Sequence, residues 1–293
     1  MQPAWHILSC RFFVIERILS LKTFTSSEIL ETISDSSVQK AESSSWRLLL
    51  LAVLAGAYIA FGAQASCMAS FNLTADPDTF GLGRLVSAAV FPVGLMLVVL
   101  CGAELFTGNN LMVIGLLDRK IRISGLLRNW GVVYFGNFIG ALFIALLISY
   151  SGLWESGGNL LGAIAVKTAV SKVSLGFGKA FVLGILCNWL VCLAVWMSTG
   201  ARSTIDKIFS IFFCIGCFVL SGFEHSVANM YFIPAGMIAA ENDAFVQLLG
   251  TDAAELTIRS FVANNLLPVT LGNLVGGGIF VGTVYWLVNR KER

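Results

Sequence analysis

Glu224 and His225 stand side by side in SGFEHSVANM (Ser221–Met230), inside a run from Ile208 to Ala240 with no other Asp, Glu, His, Lys or Arg. An imidazole can hold or give a proton near neutral pH, because its unperturbed pKa is about 6.5. The neighbouring carboxylate could relay protons. The simpler reading makes it an acceptor for backbone N–H groups at a helix break, since orphan donors in an apolar medium must be satisfied. The same pattern occurs 120 residues earlier in CGAELFTGN (Cys101–Asn109), which shares Gly, Glu and Asn at matching places. There Glu104 is the one charge in the run from Leu85 to Leu117, and no histidine follows it. Asn109, Asn229, Asn137 and Asn273 read as interhelical hydrogen-bonders. His6, near the N-terminus, is the other histidine of the chain, so haem or metal ligation within the runs is not expected, and no nucleotide-binding loop is present. Cys214 and Cys217 form a C-x-x-C without a second pair, so the thiols read as small apolar groups. No cofactor, no metal and no enzyme activity are expected; a scaffold, the other alternative, would not need titratable groups at both places.

The elements that must position these groups follow from composition. Of 293 residues 57% are hydrophobic and 12% charged, with mean hydropathy +0.82, against roughly 25% charged in a soluble domain. The chain reads as an all-α integral membrane protein, and a net charge of +2 without a basic stripe gives nucleic acid no surface. Six uncharged runs are long enough to span: Leu48 to Ala75, Leu85 to Leu117, Asn129 to Trp154, Ala180 to Ala201, Ile208 to Ala240 and Ser260 to Asn289. The second and fifth hold 33 residues each. As straight helices they would run to about 50 Å against a hydrocarbon core of about 30 Å, so both must bend, break or re-enter. GNFIGALFI from Gly136 is echoed by GNLVGGGIF from Gly272, where Gly136, Gly140, Gly272 and Gly276 permit close helix contact. Three spans followed by a similar three must be related upside down, an inverted 3+3 repeat whose site lies where the broken helices meet.

Fourteen of nineteen basic residues fall on the side of the termini, which places both termini in the cytoplasm. Trp46, Trp130, Trp154 and Trp286 are expected as interface anchors. Residues 1–46 form an N-terminal arm in which Thr25 and Glu28 make a capping box for a short amphipathic helix, 47–289 the six-helix transmembrane domain, and 290–293 a tail. HILSCRFFVIERIL has no cleavage site after it, so a signal peptide is not expected, and an upstream mis-assigned start would account for residues 1 to 24.

CGAELFTGN, NWLVCLAVWMS from Asn188, SGFEHSVANMYFIPAGM and NNLLPVTLGNLVGGG from Asn264 resemble the signature segments of the formate/nitrite transporter family. The resemblance runs from about Thr25 to the C-terminus. It implies an aquaporin-like protomer with spans two and five broken, assembled as a homopentamer in the bacterial inner membrane, each copy holding a pore for a small monovalent anion. Carried over, Phe91, Leu95 and Phe218 are hydrophobic constrictions, Phe106 and Thr107 lie in the loop that breaks the second span, and His225 is the central pore histidine. Asn188 is its neighbour and Lys172 the basic residue on the outer side of the fourth span. Such a histidine could pair with the anion and pass it a proton, letting it cross as the neutral acid. Formate is the first expectation; nitrite and hydrosulfide, also conjugate bases of weak acids, are the alternatives.

Overall fold

The computed structural model describes residues 23–290, so the reading of HILSCRFFVIERIL and most of the 290–293 tail lie outside the described residues. Among these, helices alone form the regular structure, and six are long and apolar enough to cross a membrane. They are α2 (Ser45–Ala75), α3 (Phe80–Cys101), α5 (Ile123–Tyr150), α7 (Phe177–Gly200), α8 (Thr204–Ser221) and α11 (Ile258–Asn289). Four shorter helices complete the order: α1 (Ser26–Glu42), α4 (Gly108–Leu117), α6 (Leu160–Val173) and α9 (Ser226–Ala239); α10 (Asp243–Leu248) is a surface turn.

Both overlong runs break where the length argument places the fault. α3 stops at Cys101 with Gly102 at φ 76°, and α8 stops at Ser221 with Gly222 at φ 77°. A left-handed residue ends a helix at little cost only when it lacks a Cβ. The chain then runs without helix to α4 and α9 respectively. α4 opens as a 3-10 turn over Gly108–Met112, whereas α9 is α-helical throughout despite Pro234. Helices α1 to α5 correspond in order to α6, α7, α8, α9 and α11 as two inverted halves, and α10 has no counterpart. A Cβ on Gly140 of α5 would collide with the Val53 carbonyl of α2, and one on Gly276 of α11 with the Ile185 carbonyl of α7, so the same glycine seat recurs in each half. Tyr134 of α5 and Thr270 of α11, equivalent positions, bond to each other at 2.7 Å on the pseudo-axis between the halves.

α1 lies against the bundle. Its capping box closes through Thr25 and Glu28, and Ile29, Leu30 and Ile33 pack with Leu111, Ile114 and Trp196. Asp35 pairs with Lys120 at 2.6 Å, and Ser34 donates to Asp118 at 2.6 Å. The same Asp118 accepts from Trp286 Nε1 at 2.8 Å. That corrects the interface-anchor reading: Trp46 is exposed, but Trp154 is buried, and Trp130 and Trp286 point their N–H groups at protein acceptors. α11 departs from expectation too, since Phe261–Leu266 and Val275–Thr283 are π-helical.

Candidate functional site

Each break is held by a set of side chains from its own half, and the two sets correspond. Asn137 accepts from Phe106 N–H at 2.9 Å and donates to the carbonyls of Ala52 and Glu104. Asn273 accepts from Ser226 N–H at 2.9 Å and donates to the carbonyls of Gly184 and Glu224. Glu104 N–H reaches Leu51 O, and Glu224 N–H reaches Leu183 O. The orphan backbone groups are therefore satisfied by asparagines and neighbouring helices. This corrects the expectation that the two carboxylates would take the backbone donors.

The carboxylates hold lysines instead. Glu104 accepts from Lys40 Nζ at 2.7 Å and from Asn109 Nδ2 at 2.7 Å, while Asn109 also donates to Asn129. Glu224 accepts from Lys172 Nζ at 2.8 Å and from Asn229 Nδ2 at 2.6 Å, while Asn229 also donates to Asn265. Asn129 and Asn265 in turn donate to the backbone carbonyls of Lys40 and Lys172. A carboxylate buried in an apolar bundle is tolerable only when paired and hydrogen-bonded, and both are. Lys172 sits on α6, ahead of the fourth span, and its charge is met by Glu224 rather than left open to solvent.

Two vestibules approach the midplane from opposite ends. The one away from the termini is a cavity of about 480 Å³ whose lining includes Phe91, Phe218, Phe232, Glu224, Asn229 and His225. The other, about 270 Å³, is lined by Leu95, Val98, Leu105, Lys40, Glu104 and Asn109 among others. Phe91 and Phe218 meet edge to face with ring centres 5.6 Å apart. Leu95 lies one turn further along α3, so the apolar step between the vestibules is about 6 Å deep. All three constriction residues are buried.

His225 lines the larger vestibule next to Phe218. It is the N-cap of α9: Nδ1 accepts from Ala228 N–H at 3.0 Å, and Nε2 lies 2.9 Å from Thr107 Oγ1. A backbone N–H can only donate, so Nδ1 carries the lone pair and the neutral ring carries its proton on Nε2. Thr107 then receives that bond and keeps its own hydroxyl proton to give. Phe218 stacks near the ring at 5.9 Å.

The remaining expected residues stand one layer back. Phe106 packs edge-on against Tyr134 at 4.8 Å and lines neither vestibule. Asn188 lines neither and does not bond His225; its Nδ2 holds Asn110 Oδ1, Asn273 O and, at 3.3 Å, Thr107 O, so it fixes the loop that carries Thr107. Sequence reasoning missed Lys40 on α1, and Asn129 and Asn265 behind the breaks. The repeat carried the signal for all three, since Lys40 and Lys172, and Asn129 and Asn265, occupy matching places.

A family model described as Formate/nitrite transporter matches residues 27–287. The chain is 39% identical over 267 residues to the "Formate channel FocA" of Escherichia coli (strain K12), covering 88% of this chain and 92% of that one. It is 42% identical over 260 residues to the "Probable formate transporter" of Methanothermobacter thermautotrophicus, covering 84% and 90%. Among solved structures, "Pentameric formate channel with formate bound" superposes with a TM-score of 0.74 at 37% identity, covering 83% of this chain and 97% of that one. These proteins transport and do not catalyse. With six apolar spans, two broken in register, and similarity along nearly its whole length, this multi-pass membrane protein belongs to the formate/nitrite transporter family.

Proposed function

We propose that the chain is a passive or proton-linked channel for formate, with both termini in the cytoplasm of a bacterial inner membrane and five copies forming the assembly. The observation that carries the reading is one imidazole on the wall of the larger vestibule beside Phe218, within hydrogen-bond reach of a threonine hydroxyl. An anion entering the step between Phe91 and Leu95 sheds hydration worth several kcal/mol or more, which phenyl and leucyl walls cannot replace. One donor is left to offset that loss, the Thr107 hydroxyl, because the Nε2–H of the neutral His225 ring is already given to Thr107 Oγ1. Transfer of a proton to the anion needs the imidazolium, and its Nδ1–H would face Ala228 N–H. Protonation and release of the α9 cap are therefore one event, and the substrate leaves the step as the neutral acid. The excess of basic residues on the side of the termini supports the orientation; the relatives' names support formate and the pentamer.

Purified protein in liposomes tests this with formate, nitrite and hydrosulfide supplied in parallel. Formate flux above that of empty liposomes and above the other two anions is expected, and no formate flux sinks the reading. His225→Gln keeps an amide donor but cannot titrate; uptake with an unaltered pH dependence would refute the proton step.

A further inference from the structure

We propose that Arg84 and Lys167 form an anion-docking subsite on the wall of the outer vestibule, separate from the Lys172–Glu224 pair, which receives a small monovalent oxyanion before it reaches His225. The proposal rests on the anion-channel reading above and on that orientation. Three cations, Arg84, Lys167 and Lys172, line the outer chamber together with the single carboxylate of Glu224. Lys172 is matched by that carboxylate at 2.8 Å, so the remaining positive charge belongs to Arg84 and Lys167. Neither has a carboxylate within ion-pair distance among the described residues.

Arg84 is held in place by neutral acceptors. Nε and Nη2 donate to the Leu220 carbonyl at 3.3 and 3.0 Å, and Nη2 also to the Val219 carbonyl at 3.0 Å. These carbonyls end α8, where the helix dipole puts partial negative charge beside the vestibule floor. The guanidinium cancels this repulsive end and keeps its full charge, and Nη1, with two N–H groups, has no bonded partner among the described residues. Lys167 is exposed in the same chamber. The inner vestibule has no counterpart: its lining holds Lys40 and Glu104, paired at 2.7 Å, and no other charge. The position equivalent to Arg84 in the other half is Thr204, an uncharged residue. A focused positive field in a low-dielectric cleft raises local anion concentration about tenfold or more, and salt removes the gain.

The test is initial formate uptake in right-side-out membrane vesicles carrying the full chain, at about 10 mM and about 200 mM of a salt with a bulky anion, where screening lengths are roughly 30 and 7 Å. For the wild type the half-saturating formate concentration should rise about threefold or more with salt. Lys167→Gln and Arg84→Gln should each raise it at low salt by about threefold and flatten its salt dependence, with Arg84→Lys restoring much of the loss. Inverted vesicles should show little salt dependence. Should Arg84→Gln not reach the membrane, Lys167→Glu, at an exposed position, reads the same quantity. Half-saturation that ignores salt and both substitutions overturns the subsite, while wild-type flux in the same vesicles still upholds the channel. Absence of wild-type flux instead overturns the channel reading beneath it.

Discussion

The breaks after Cys101 and after Ser221 are built from the same parts and do different work. Both use a left-handed glycine, a bridging asparagine, a lysine–glutamate pair and two further asparagines. Between the shared Gly, Glu and Asn their residues differ, and beside the carboxylate Leu105 stands where the other half has His225. They also differ in the grip on the lysine. Lys40 makes bonds to both oxygens of Glu104 and to Asn109 Oδ1, whereas Lys172 is bonded to one oxygen of Glu224 and Asn229 Oδ1 is buried without a partner. What the halves share secures backbone that could not otherwise exist inside a bilayer. The proposed chemistry sits where they disagree.

The largest effect should come from the shared part. Asn137→Ala and Asn273→Ala each delete a side chain with three buried bonds and should cost about 3 kcal/mol apiece. A similar drop in thermal midpoint in detergent is the check, and a silent variant in either half would break the equivalence. His225→Leu, which gives the second break the residue that the first has beside its carboxylate, should lower formate flux about 100-fold, or roughly 2.7 kcal/mol on the barrier. His225→Asn retains a cap acceptor for Ala228 and separates folding from transport. Flux surviving in the Leu variant would mean that the difference between the halves is not where transport resides.

Smaller and unequal effects are expected from the ion pairs. The side chains of Lys172 and Glu224 are 15% and 7% exposed, against 28% and 14% for Lys40 and Glu104. Glu224→Gln should therefore destabilise by about 2 kcal/mol and Glu104→Gln by about 1, because Lys40 keeps Asn109 as a partner. Thermal midpoints at low and high salt would check the order. Last comes Tyr134→Phe on the pseudo-axis, which removes one bond between the halves and should cost about 1 kcal/mol, read in the same melts.

Both breaks were legible in the sequence because two independent signals, excess length and an echoed motif, agree at Glu104 and Glu224. The carboxylates' partners were not. Lys40 lies on a segment that reads as an arm outside the channel, and nothing local ties it to a residue 64 positions on. Arg84 fell outside the second run, because a hydropathy boundary excludes the charged first turn of α3, whose guanidinium finds its acceptors on α8. The π turns of α11 leave no periodic trace among four closely spaced glycines. Phe106 and Asn188 were placed in the pore by position along the motif, whereas direction is set for Asn188 by the rotation of α7 and for Phe106 by the non-helical backbone that Asn137 holds, and both turn into the packing behind the pore.

Each Lys–Glu–Asn–Asn set is drawn wholly from one half, Lys40 through Asn129 or Lys172 through Asn265. A ribosome that has released the chain as far as Tyr150 has therefore already delivered every group needed to neutralise the first intramembrane carboxylate. The early product can wait in the bilayer with its carboxylate neutralised, lacking Asn188 on Asn110 Oδ1 and the Thr107 carbonyl. The later product brings its own counterion, so the two can mature independently and meet afterwards along the Tyr134–Thr270 seam.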